Sequence, residues 1–353
     1  MVQGNLERNQ RLAWMDVAKG IGIFLVVYAH AKAPFNQYMY LFHMPLFFFL
    51  SGYLYNPKGS FRDFLVRKMK SLYIPFVGWN IIVIVLLLTP RFLKGELTGQ
   101  LILYYLKRCG KILLTVDWEG SYLGASWFLG ALFIVSVVYK FLDYYIEGGK
   151  YKRYFITALF IAAGMASFYL ELRYVSNRVV MLGMFYASGY ALRSHWDELK
   201  PCFCPAGAGA AFILLAWIGR TTRANLGANE YSNVLVFLIA ACLGTYLTIC
   251  VAKLLCGLNH PVARGIERML AWWGRRSIDI LLWQFVVFRL VAAFQFWLEG
   301  EPITNAFATR IYVTDGFWWV AYTVVGIFAS LAWGWLLRQG IWGKVLKKLY
   351  LVR

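Results

Sequence analysis

The chain has 353 residues, of which 60% are apolar, 18% aromatic and only 15% charged, yet its net charge is +19. So little polar surface excludes a soluble globular domain of this length and points to an integral membrane protein. The positive charge does not point to nucleic acid, because the basic residues sit in short clusters between apolar runs, as juxtamembrane charges do.

The opening segment, MVQGNLERNQRLAWMD, is polar, and no small-residue cleavage site follows the first apolar run, so it does not read as a cleavable signal. The apolar runs are too long for barrel strands. Helices are expected, since a bilayer tolerates no unpaired backbone. In chain order they fall at 13–31, 40–55, 71–89, 125–143, 154–171, 178–193, 206–219, 231–253, 275–293 and 316–337. The expectation is an all-α integral membrane protein of about ten transmembrane helices, with residues 1–353 as one polytopic domain.

The segment LILYYLKRCGKILLTV (101–116) reads either as a further span or as a helix in the interface. Charge arbitrates. With ten spans and both termini cytoplasmic, about twice as many Lys and Arg residues fall inside as outside, in line with the positive-inside rule. An extra span would reverse that asymmetry and bury Lys107, Arg108 and Lys111. The segment is therefore expected to be amphipathic or re-entrant on the outer face. Cys109, Cys202, Cys204, Cys242, Cys250 and Cys256 show no metal-ligand spacing, and no metal is expected.

Three stretches carry polar groups where a membrane disfavours them. In DVAKGIGIFLVVYAH, Asp16 to His30, each ionisable residue costs roughly 2.5–3.5 kcal/mol on insertion scales, which makes it a functional candidate. Asp16 and Lys19 are one helical turn apart, and His30 lies about 16 Å beyond Lys19 on the same face. Two readings stand: a functional polar seam, or an interfacial ion pair with a histidine at the headgroup boundary. FHMPLFFFLSGYL (42–54) follows, with Pro45 suited to a first helical turn and Gly52 to the close approach of a ligand or another helix. A lipid-facing aromatic helix would explain Phe47–Phe49 but not His43 and Ser51. RKMKSLYIP (67–75) is either a positive-inside anchor or a phosphate clamp, with Arg67 and Lys70 on one helical face.

Together these stretches resemble the membrane-bound acyltransferase family 3, whose members acylate sugars of bacterial surface glycans. KGIGIFLVVYAH is similar to the family's Arg-to-His spacing in the first helix, with Lys19 in place of the Arg. FHMPLFFFLSG resembles the second-helix signature, RKMK the basic R-x-x-R motif, and SWFLGALF (126–133) the Trp-Phe-Leu opening of the fourth helix. SIDILLWQ (277–284) departs from the pattern, placing Gln284 where the family usually has His.

The resemblance implies transfer of an acyl group, most often acetyl, from acyl-CoA to a hydroxyl of a surface or lipid-linked carbohydrate at the bacterial inner membrane. His30 would be the catalytic base, with Asp16 and Lys19 ordering the site or holding the donor. Arg67, Lys68 and Lys70 would bind the CoA phosphates, joined on the donor side by His43, Ser51 and Trp127. Gln284 and Arg289 would face the acceptor. Two other readings compete: a glycan-precursor transporter or flippase, which would move substrate without consuming acyl-CoA, and a non-catalytic member of a polysaccharide export complex, for which Gln284 is the argument.

Overall fold

The computed structural model describes residues 2–115, 118, 120–170, 176–227, 230–308 and 316–352. The ends of two expected segments, residues 116 and 171, lie outside them. The chain is helical from its start. α1 (Val2–His30) is followed by the short α2 (Asn36–Tyr40) and by α3 (His43–Tyr53). α4 (Phe61–Lys68) runs through a π-helical turn, Met69–Tyr73, into α5 (Ile74–Leu93). Then come α6 (Gly99–Thr115), α7 (Trp127–Tyr145), α8 (Lys152–Ala166), α9 (Asn177–Leu192), α10 (Trp196–Leu199) and α11 (Pro205–Ile218). The series ends with α12 (Val234–Gly257), α13 (Pro261–Arg275), α14 (Ser277–Leu298), α15 (Thr304–Ala308), α16 (Trp318–Leu336) and α17 (Gly340–Lys348). A two-stranded antiparallel ribbon, β1 (Ala224–Asn225) with β2 (Glu230–Tyr231), interrupts the helices before α12.

Among the described residues, six helices are long and apolar enough to cross a bilayer: Ala13–His30, Phe61–Leu93, Trp127–Tyr145, Val234–Gly257, Ser277–Leu298 and Trp318–Leu336. The pair Asn177–Cys202 and Pro205–Ile218, bent by 101°, brings the number to seven if taken as one broken span. The protein is thus a multi-pass helical membrane protein. The other segments expected to span fold as shorter helices: α3 has 11 residues, α8 15, α9 16 and α11 14. Each falls short of the roughly 20 residues a straight span needs. Residues 101–115 of the segment expected at 101–116 fold within α6, an amphipathic helix with only Ile112 buried and with Leu103, Leu106 and Leu114 exposed.

Local chemistry explains several boundaries. Ser60 caps α4, its hydroxyl accepting from the Asp63 N–H at 3.1 Å, and Asn233 caps α12 by accepting from the Val236 N–H at 3.1 Å. Proline opens α11 and α13, where its missing N–H costs nothing.

α1 is the central element, packed against α3, α12, α13, α14 and α16. The aromatic block of α3 does not face lipid: His43 through Leu50 are all buried inside the protein. Gly52 makes that possible. A Cβ there would overlap the Tyr186 carbonyl of α9, and one at Gly189 would overlap the Phe49 carbonyl. The two backbones therefore meet directly, as small residues permit between membrane helices.

Candidate active site

The polar residues of α1 open onto two different cavities. At the Asp16 end, a cleft of about 550 Å³ is lined by Asp16, Lys19, Ser51, Arg67, Lys68 and Arg275, backed by Phe47, Phe128 and Leu132. At the other end of the helix, a cavity of about 350 Å³ is lined by His30, Tyr40, His43, Trp118, Trp127 and Asn225. Both are walled by α3 and α7, so Lys19 and His30 do lie on the same side of α1. From Asp16 to His30 the helix rises about 21 Å.

An aromatic layer divides the two spaces. Phe128 packs edge-on against Phe47 and Phe48, with ring centroids 5.6 and 5.4 Å apart. Phe47 and Phe128 line the first cleft, whereas their neighbours Met44 and Trp127 line the second.

In the first cleft, the Asp16 carboxylate lies 3.5 Å from Lys19 Nζ and 3.5 Å from Arg275 of α13. The approach of α13 depends on Gly274, where a Cβ would overlap the Asp16 carbonyl. Arg67 and Lys68 enter from the last turn of α4. The cleft therefore presents four cations against one acid. Such a surface suits a multiply charged anion, with arginine forks able to bind phosphate oxygens in pairs.

In the second cavity His30 and His43 stand with ring centroids 6.4 Å apart, and Phe285 packs against His30 at 4.8 Å. His43 Nδ1 lies 2.5 Å from the Met39 carbonyl oxygen. A carbonyl only accepts, so Nδ1 carries the proton and, in a neutral ring, Nε2 is left as an acceptor. Gln284 of α14 is wholly buried and lies beside His30. His30 Nδ1 and Gln284 Oε1 are both buried without a hydrogen-bond partner among the described residues. The Gln284 side chain and the Val26 backbone are nonetheless the polar groups nearest the His30 ring.

Several residues lie elsewhere than the sequence led one to expect. Lys70 does not share the cleft with Arg67; it lies within the π-helical turn Met69–Tyr73. Its Nζ lies over the Tyr350 ring at 4.6 Å. His43 and Trp127, expected on the donor side with Ser51, line the His30 cavity, and Trp127 also packs against the Arg178 guanidinium at 4.8 Å. Arg289 faces neither cavity. It is buried, donates to the carbonyls of Ser121 at 3.0 Å and Ala306 at 2.9 Å, and lies over the Tyr122 ring. It ties the turn at Ser121 to α15.

The sequence reading missed Arg275, Tyr40, Trp118 and Asn225. Arg275 was visible as half of an Arg-Arg pair before a span, a pattern that reads equally as a positive-inside flank. Asn225 reaches the cavity through the β-ribbon, which no apolar periodicity announces. Among the described residues, no group of three or more His, Cys, Asp and Glu side chains gathers as a metal site.

Comparison with known sequences matches residues 12–339 to the model of the acyltransferase family 3, described as an acyltransferase domain. The chain belongs to this family. It is also similar to the nodulation protein NolL of Mesorhizobium japonicum, with 27% identity over 331 residues covering 84% of this chain and 83% of that one. No solved structure matches it. Family membership makes the protein an acyltransferase of the membrane.

Proposed function

We propose that the protein transfers an acyl group, in the first instance acetyl, from acyl-CoA to a hydroxyl of a surface or lipid-linked carbohydrate, working across the bacterial inner membrane. The observation that carries this reading is the division of α1 between a cation-rich cleft at Asp16 and a histidine-lined cavity at His30. CoA is a cytoplasmic, phosphate-bearing donor. We therefore place the N-terminus and the first cleft on the cytoplasmic side, in keeping with the asymmetry of Lys and Arg.

In this mechanism Arg67, Lys68 and Lys19 bind the CoA phosphates. The pantetheine arm runs upward past Ser51, and the Phe47 and Phe128 rings, which are in contact in this structure, part to let it through. The thioester then lies near His30. The sugar hydroxyl oxygen attacks the thioester carbonyl carbon while the His30 imidazole takes the hydroxyl proton. The C–S bond breaks, and the departing CoA thiolate recovers the proton from the imidazolium. A base so placed contributes roughly 10²–10⁴-fold. His43 and Gln284 orient the His30 ring and the acceptor. Trp118, Trp127, Tyr40 and Asn225 supply the aromatic and amide surfaces that a sugar uses.

The test is to incubate purified protein in nanodiscs with acetyl-CoA, with and without envelope glycan extract, and follow free CoA thiol. Wild-type release that is lost in His30→Ala supports the reading. Movement of glycan across a vesicle membrane without thiol release would favour the transporter instead.

A further inference from the structure

The three cations assigned so far do not exhaust the first cleft. Arg275 contributes a fourth from α13, and its guanidinium is 56% exposed, at the cleft's solvent side. The N-terminus of α14, a 22-residue helix, opens at the same corner through Ser277 and Ile278. That N-terminus adds little of its own, because the C-terminus of α13 abuts it at Arg276 and the Asp279 N–H is already taken by the Arg276 carbonyl at 3.0 Å, so the charge at this corner is that of Arg275. A second recess of about 280 Å³ adjoins the cleft, shares Ser71, Arg275 and Ile278 with it, and adds Arg276 and Arg338. Arg275 therefore stands at the junction of the two spaces. In the second recess Arg338 is engaged by Asp279, which it grips at 2.6 and 2.8 Å.

Arg275 is in turn held by Asp16, which also holds Lys19, each at 3.5 Å. Those distances are long for charge-assisted contacts, whose usual range is about 2.7–2.9 Å. A single carboxylate thus serves as loose counter-ion to two cations whose other neighbours are also basic.

We infer that Arg275 binds the 3′-phosphate of the CoA donor, and that Asp16 is the resting counter-ion from which that phosphate takes it over. This rests on the donor reading above and adds to it a specificity residue. With the diphosphate on Arg67 and Lys68 and the arm directed toward His30, the ribose 3′-phosphate stays at the mouth of the cleft, where Arg275 lies. Asp16 offsets the mutual repulsion of the cations in the empty cleft and competes with any anion that binds there.

The experiment compares binding of CoA and 3′-dephospho-CoA to wild type, Arg275→Gln, Arg275→Lys and Asp16→Asn, all in phosphatidylcholine nanodiscs so that no anionic lipid headgroup competes. Wild type is expected to prefer CoA by about tenfold, as one charge-assisted contact provides. Arg275→Gln should bind both nucleotides about equally, at the wild-type affinity for 3′-dephospho-CoA. Arg275→Lys should retain part of the preference, and Asp16→Asn should bind CoA more tightly. Full discrimination in Arg275→Gln, or equal losses for both nucleotides, would overturn the assignment of the 3′-phosphate. Weaker CoA binding by Asp16→Asn would overturn the counter-ion role. Failure of wild type to bind either nucleotide would overturn the donor reading beneath it, and this inference with it.

Discussion

His30 and His43 come from different helices yet line one cavity, with ring centroids 6.4 Å apart, and the hydrogen bond from His43 Nδ1 to the Met39 carbonyl fixes how the second ring is turned. A ring held by the backbone is suited to orient its neighbour or a substrate hydroxyl. His43→Ala is therefore expected to lower kcat by about 10²-fold, the low end of what a proton-transfer group contributes, with little change in KM for acyl-CoA. Steady-state kinetics of CoA release checks this. A large rise in donor KM with kcat intact would return His43 to the donor side.

The aromatic layer makes a different prediction. Phe128 separates the cleft from the His30 cavity by packing on Phe47 and Phe48. Phe128→Trp should obstruct the pantetheine arm while leaving the phosphate sites alone. Affinity for acetyl-CoA should fall, and affinity for adenosine 3′,5′-bisphosphate, which lacks the arm, should stay at the wild-type value. Parallel titrations of the two nucleotides decide it. Equal effects on both would place the arm elsewhere.

Arg289 is predicted to matter for stability and not for donor binding. Its removal leaves the Ser121 and Ala306 carbonyls without their donor, at roughly 1–3 kcal/mol for each buried group left unsatisfied. Arg289→Met should lower Tm clearly in a detergent melt while leaving the affinity for acetyl-CoA unchanged. An unaltered Tm would contradict the role of Arg289 in tying the Ser121 turn to α15.

Gly52 should prove intolerant of even one methyl group. The Tyr186 carbonyl occupies the space a Cβ would need. Gly52→Ala must push α9 away from α3, and overpacking of this kind costs typically 1–3 kcal/mol. A lower Tm and reduced yield of monodisperse protein are expected, and a fully stable variant would show that α9 can shift freely.

Lys70 and Arg67 offer a matched comparison. Arg67→Gln should raise KM for acyl-CoA about tenfold, whereas Lys70→Gln should leave it near the wild-type value because Lys70 rests over Tyr350 outside the cleft.

Much of this site was legible in the sequence. The ionisable residues of α1 announce themselves because membrane burial makes them costly, and their spacing on one helical face holds in three dimensions. Ser51, Arg67 and Lys68 could be found by motif. Lys70 could not be placed, since a π-helical turn leaves no hydropathy signal and shifts every later side chain. α13 falls between the expected spans 231–253 and 275–293, where Arg264, Glu267 and Arg268 lower the average hydropathy. Its apolar residues Ile266, Leu270 and Trp273 nonetheless recur at helical spacing, which is the signal that could have exposed it, and Arg275 with it. The count of ten treats each apolar run other than 101–116 as a crossing. α3 and α11 are instead short helices of 11 and 14 residues, and hydropathy alone does not distinguish a buried short helix from a span.

In the proposed mechanism, donor binding and chemistry occupy opposite ends of α1. The most direct test measures acetyl-CoA affinity and single-turnover CoA release in the same nanodisc preparations of wild type, His30→Gln and the double variant Arg67→Gln/Lys68→Gln. The account predicts that His30→Gln binds acetyl-CoA with wild-type affinity and does not turn it over. It predicts that the double variant binds far more weakly yet turns over at saturating donor. Loss of donor binding in His30→Gln, or undiminished affinity in the double variant, would contradict it.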